Sequence, residues 1–211
     1  VAADAERLAI VGASPWSTAL ALALHGAGVP VLLIDTYPGA LQAAHAEGVP
    51  TLQAELLSRH AEEGLADQPP DYLLAATRDE LYNALVCTRL APELGRERVY
   101  QLAPSADHLL HAETGVSRDL RGKVLGGGDL DFQSLSERHA AGWRFEVVAG
   151  GAATTHGMPC LMVIRSDGSL DFPSPDHGMI EPTAGDRLLL LRPPRETQRT
   201  RDRSDALAGA I

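Results

Sequence analysis

The sequence predicts an α/β fold: a doubly wound parallel sheet followed by a small α+β unit. Three observations predict it. Short apolar runs such as LAIVG (8–12) and VPVLLID (29–35) alternate with helical periods through the first hundred residues. The links between them are short, which forces right-handed crossovers and a parallel sheet with helices on both faces. Beyond about residue 104 one helix is followed by strands, with Asp167-Gly168 between two apolar runs. An Asp-Gly in that setting is the strongest short-range hairpin signal.

The elements follow in order. PWSTALALALHGAG (15–28) reads as a helix after the first strand. Pro15 suits its first turn, where a missing N–H costs nothing, and Gly26 or Gly28 ends it. GALQAAHAEG (39–48) is a second helix closed by Gly48, and VPTLQ (49–53) is a short strand. A short helix is expected at 56–65, a strand at 71–77, and a longer helix at 78–95 that Pro92 bends or shortens. Residues 98–103 make a fifth strand. The stretch 105–130, with a triple Gly at 126–128, reads as a connector containing one helix and a short strand at 123–125. A helix over 131–142 and strands at 143–150, 159–172 and 186–193 complete the second unit. The predicted division is therefore 1–104, connector 105–130, small α+β domain 131–193, and a charged, Pro-led tail 194–211 that is expected to be flexible.

At 211 residues the chain can bury a substantial core. Its net charge of −10 argues against a nucleic-acid backbone or an anionic membrane surface as the main partner. No apolar run reaches the ~18 residues of a membrane span, and no signal peptide is visible. Cys87 and Cys160 form no metal or Cys-x-x-Cys pattern, as suits a reducing cytoplasm.

The first strand–turn–helix carries the functional signal. Gly12 stands where the chain must turn sharply, while Ser14 and Ser17 stand where a Gly-x-Gly-x-x-Gly loop has its second and third glycines. Such a loop brings backbone N–H groups to a phosphate at a helix N-terminus, and a serine hydroxyl is itself a donor. Asp35 closes the second strand at the distance where a carboxylate accepts both ribose hydroxyls and repels a 2′-phosphate. The expected architecture is thus Rossmann-like, with NAD(H) or an adenine nucleotide (AMP, ADP or ATP) as ligand.

On those residues the chain resembles the regulator-of-K⁺-conductance domains (RCK, also called KTN or TrkA-type). Gly12-Ala-Ser-Pro-Trp-Ser17 is similar to their degenerate loops, and Asp35 to their ribose-binding acid. Ala54-Glu55 stands where they usually show Gly-Asp. Thr77, Asp79, Glu80 and Asn83 match their signature after the fourth strand. RSDGSLDFPSPDHGMIEPTAGDRLLLL (165–191) resembles their C-terminal companion domain, with Gly185-Asp186 as a turn feeding the last strand. More narrowly, residues 11–63 and VYQLAP (99–104) resemble the cytoplasmic region of bacterial monovalent cation/proton antiporters.

The resemblance implies a cytosolic, ligand-sensing, non-catalytic module joined to a membrane transport domain for Na⁺ or K⁺. It implies homodimers and a nucleotide held by Gly12, Ser14, Ser17, Asp35, Glu55 and Thr77. Three other readings stand beside it. An NAD-dependent oxidoreductase would need a general acid or base, and neither a Tyr-x-x-x-Lys pair nor an assignable partner for His156 or His177 is present. A structural dimerisation module would bind no ligand. His108 and His111 in DHLLHAE, three apart on a helix, have a spacing that can chelate a metal, but a solvated helix start is the expected reading, with no metal bound.

Overall fold

The computed structural model describes residues 5–105, 121–126, 129–150, 158–175 and 180–194. Its first half is a sheet of six parallel strands in the order β3-β2-β1-β4-β5-β6. The strands are β1 (Leu8–Val11), β2 (Val31–Asp35), β3 (Thr51–Gln53), β4 (Tyr72–Ala75), β5 (Val99–Gln101) and β6 (Lys123–Val124). The helices are α1 (Pro15–Gly26), α2 (Pro38–Ala46), α3 (Arg59–Asp67) and α4 (Glu80–Leu94). This is the dinucleotide-binding strand order, with its reversal point between β1 and β4.

Side-chain alternation decides what each face holds. Leu8 and Ile10 of β1, with Val31 and Leu33 of β2, face the Trp16, Leu20 and Leu24 side of α1 and Leu41 of α2. Ala9, Val11, Leu32 and Ile34 face Ala61 and Leu65 of α3 and Val86, Cys87 and Leu90 of α4. Right-handed crossovers place the helices before and after the reversal on opposite faces. The β4–β6 half of the α1 face therefore receives no helix from the first hundred residues.

The second unit covers it. It comprises α5 (Phe132–Ala140) and the antiparallel strands β7 (Arg144–Ala149), β8 (Cys160–Ile164), β9 (Leu170–Asp171) and β10 (Arg187–Arg192), in the order β7-β10-β8-β9. Phe145, Met162, Ile164, Phe172, Leu189 and Leu191 join the same hydrophobic core as Leu74, Tyr100 and Leu125. Phe172 stacks on Tyr100 with centroids 4.6 Å apart and lies 5.1 Å from Tyr72. On the outer face Val163, Leu188 and Leu190 form a smaller cluster. The N-terminal segment ties both units together: Glu6 N–H donates to Gly168 O, and Leu170 N–H donates to Glu6 Oε2 at 2.8 Å.

Several details differ from the sequence expectations. The strand inside the connector adds to the main sheet, pairing Tyr100 with Lys123 and Gln101 with Val124 in parallel register. The third helix starts at Arg59, after Ser58 in extended conformation, rather than at 56. Pro92 does not end α4, which runs on to Leu94 and stops at Gly95. A proline this near a helix C-terminus removes one hydrogen bond, and the burial of Val86, Cys87 and Leu90 outweighs it. The Asp167-Gly168 hairpin forms as expected, with Gly168 at φ +92° and Val163 paired to Asp171.

Candidate functional site

Ligands of open parallel sheets bind outside the carboxyl ends of the strands at the reversal point. Here the loops after β1, β2 and β4 meet at that point. Gly12 adopts φ +102°, and a Cβ on it would lie 2.9 Å from Thr77 Cγ2. Both the turn and the close approach of the β4 loop therefore require glycine. Gly12 and Thr77 are thus in contact across the mouth.

Asp35 closes β2 and faces the same loop. Its Oδ2 accepts from Ala13 N–H at 2.7 Å, and its Oδ1 accepts from Tyr37 N–H at 2.8 Å. A carboxylate offers about four lone-pair sites, so these two bonds leave capacity for the hydroxyls of a sugar. The residue is half-buried.

The serines are spent differently. Ser14 is the N-cap of α1: its Oγ accepts from Ser17 N–H at 3.2 Å, while Ser14 N–H donates to Ser17 Oγ at 2.8 Å. This reciprocal capping box satisfies two orphan amides at once. Ser17 Oγ also donates to Gly12 O at 2.7 Å, and the residue is fully buried. Ser14 stands at the surface of the mouth, whereas Ser17 lies behind it and fixes the loop. The N–H groups of Gly12, Ala13, Ser14 and Ser17 are all engaged within the protein.

Trp16 is turned away from the mouth. It is 1% exposed, with its ring 5.8 Å from Phe132 of α5 and 6.5 Å from Phe145 of β7. Its Nε1 is buried with no hydrogen-bond partner. Within the loop's own sequence, the chain thus plugs an indole into the core shared with the second unit. Phe132 also carries the Arg78 guanidinium 5.5 Å over its ring. Beside them lies a cleft of about 280 Å³ between the β4 and β5 ends and α5, lined by Thr77, Arg78, Asn83 and Phe132 among others.

Glu55 follows β3 and is exposed, with Oε1 accepting from the Tyr82 hydroxyl at 2.5 Å. Burial first, then the Glu55 hydrogen bond, push the Tyr82 phenol well above its ordinary range; the Asp35 charge adds in the same direction. Thr77 donates its hydroxyl to Asn83 Oδ1 at 2.6 Å, and its N–H to the same atom at 3.1 Å. Asn83, buried, thereby pins the β4 loop. Gly12, Ser14, Asp35, Thr77 and Glu55 thus surround one mouth, with Ser17 beneath it. Tyr37, two positions after Asp35, is 68% exposed.

Cys87 is a buried core thiol, pushed up to about 12 by burial, with a partly offsetting contact from the Gly122 backbone. Among the described residues no group of His, Cys, Asp and Glu is placed to hold a metal, and no helix is long and apolar enough to cross a membrane. The His108–His111 pair, His156 and His177 lie outside the described residues.

No family model and no curated protein matches the chain. Solved structures do. The "GsuK RCK domain" is similar at 18% identity over 97% of this chain and 47% of its own, with a TM-score of 0.42. The "GsuK channel bound to NAD" is similar at 15% identity over 97% and 39%, with a TM-score of 0.46. Prephenate dehydrogenase from A. aeolicus, solved with hydroxyphenyl propionate and NAD⁺, shares 12% identity over 85% and 48%, with a TM-score of 0.38. The chain spans less than half the length of each.

Proposed function

We propose that this chain is a nucleotide-sensing regulatory module of a monovalent cation transporter, and more narrowly of a Na⁺ or K⁺/proton antiporter. It acts as a homodimer on the cytoplasmic side and catalyses nothing. The transporter assignment rests on the resemblance carried by the loop, Asp35 and the Thr77–Asn83 signature. The observation that supports nucleotide binding is the half-buried Asp35 carboxylate at the reversal point, beside a glycine turn and holding two backbone amides where it offers about four acceptor sites.

In this reading Asp35 holds the ribose of NAD(H) or an adenine nucleotide. Ser14 meets the phosphate, with Gly12 giving close approach and Ser17 holding Ser14 in place. Glu55 and Thr77 flank the sugar or base. A phosphate that takes over the Ser14 donor exchanges a neutral hydrogen bond of about 1 kcal/mol for a charge-assisted one of about 1.5–3 kcal/mol, so the internally satisfied loop still favours the anion. Binding biases the module toward one conformation, and a coupling of ~1–3 kcal/mol changes the state populations of an attached transport domain roughly 5- to 150-fold.

The test is a thermal-unfolding panel with NAD⁺, NADH, AMP, ADP and ATP. A ligand at a hundred times its Kd adds about 2.7 kcal/mol of apparent stability. Asp35→Ala is expected to abolish that gain. If none of these compounds moves the midpoint, the module is a structural dimerisation element instead.

A further inference from the structure

The seam between the two units opens beside the mouth, and one charged side chain spans it. Arg78 follows Thr77, whose Cγ2 would lie 2.9 Å from a Cβ on Gly12. The backbone on either side of Arg78 is pinned. Asn83 Nδ2 donates to Thr77 O at 2.9 Å, Asp79 N–H donates to Thr77 Oγ1 at 3.2 Å, and Tyr82 N–H donates to Asp79 Oδ1 at 3.0 Å. What can move at this point is the side chain of Arg78, an exposed residue.

Its guanidinium rests 5.5 Å over the ring of Phe132, the first residue of α5. Glu80 and Asp131 line the same cleft, yet among the described residues no carboxylate pairs with this cation. Both acids are turned to backbone amides instead: Glu80 Oε1 accepts from Ser105 N–H at 2.8 Å, and Asp131 Oδ1 caps α5 by accepting from Ser134 N–H at 2.9 Å. Phe132 in turn meets Trp16 edge-on at 5.8 Å, and Trp16 lies in the first turn of α1, two positions after Ser14. Mouth, Arg78, Phe132 and Trp16 thus form one closed circuit of contacts across both units.

The contact on the ring is the weak member of that circuit. A guanidinium over an aromatic face at an exposed site is held less strongly than one making charge-assisted bonds to phosphate oxygens. With the first phosphate of a ligand at Ser14, a second one continuing past Gly12 is the group that Arg78, next along the Thr77 loop, is placed to meet. Resting on the nucleotide reading of the mouth, we propose that Arg78 carries ligand occupancy to the second unit: a second phosphate draws its guanidinium off Phe132 and so loosens the hold of α5 on the first unit. The module then separates ligands by response as well as by affinity. AMP fills the mouth silently, whereas ADP or NAD⁺ shifts the second unit. By reciprocity, a ligand that pulls Arg78 from the ring binds more tightly when the ring is gone.

The experiment measures Kd by calorimetry for AMP, ADP and NAD⁺ with the wild-type chain, Arg78→Gln and Phe132→Leu, and follows hydrogen exchange of the α5 amides. The ligand-free unfolding midpoint of each variant serves as a folding control. ADP and NAD⁺, but not AMP, are expected to speed α5 exchange in the wild type. Arg78→Gln is expected to weaken ADP and NAD⁺ about tenfold, to leave AMP within twofold and to abolish the exchange response. Phe132→Leu is expected to raise the affinity for ADP relative to AMP about twofold to fivefold. An unchanged or lower ratio in Phe132→Leu overturns the proposal, because the cation then stays on the ring when ligand binds. An equal loss of AMP and ADP in Arg78→Gln also overturns it and leaves the sensor reading standing. If none of the three compounds binds the wild-type chain, the sensor reading falls and the role of Arg78 falls with it.

Discussion

Two aspartates in this molecule do superficially the same work, and their difference separates the mouth of the parallel sheet from the corner of the antiparallel one. Asp186, before β10, accepts from Ser166 N–H at 3.0 Å, Thr183 N–H at 2.8 Å, Thr183 Oγ1 at 2.9 Å and Arg165 Nη1 at 2.8 Å. It is 2% exposed, and those bonds, the Thr183 backbone first and Arg165 next, hold its carboxyl well below the usual carboxylate range. Four donors converge on it, three on Oδ2 and one on Oδ1. Asp35 also gathers two backbone amides, yet among the described residues it accepts only those two side-chain bonds and stays half-buried. An acid shut from solvent among four donors fixes a corner, whereas a more open one with fewer donors can take a ligand.

That contrast is open to measurement. The largest effect is expected at the wall: Trp16→Ala empties the space between α1, Phe132 and Phe145 and should cost about 3–5 kcal/mol in a denaturant titration. A near-wild-type midpoint would mean that the mouth is not anchored on the shared core. Next, with ligand present, Asp35→Ala should remove about 2.7 kcal/mol of ligand-induced stabilisation at a hundred times Kd. Without ligand it should lower the midpoint less than Asp186→Asn does; the reverse order would make Asp35 the structural acid.

The acid limb gives a further test. Asp186 is depressed in the folded state, so its contribution is complete above the unfolded carboxylate value of about 3.9 and is lost as pH falls through the folded one. Wild-type stability should therefore drop below about pH 4, and Asp186→Asn should flatten that drop. The smallest change is expected from Tyr82→Phe, which deletes the hydroxyl bonded to Glu55 and should cost about 0.5–1.5 kcal/mol.

The strand–helix alternation was legible because each buried parallel strand is a short apolar run between turn residues, and each helix shows its cap or terminator. Pro15, Gly48 and Asp167-Gly168 mark their elements locally. The positions around the mouth were legible for the same reason, since Gly12 and Asp35 stand at strand ends whose spacing the chain itself sets. A helix start without a side-chain cap, such as the one after Ser58, was less so.

What only the tertiary structure decided is where side chains spend their polar groups and aromatic rings. Trp16 sits beside the loop in sequence, but it is buried against Phe132 and Phe145, which arrive from more than a hundred residues away. Ser14 and Ser17 look like two phosphate donors in the sequence. In space they satisfy each other, because a helix N-terminus must find partners for its amides whether or not a ligand comes. Sequence sets the order of elements through local energetics; long-range packing decides which of their atoms are left for anything else.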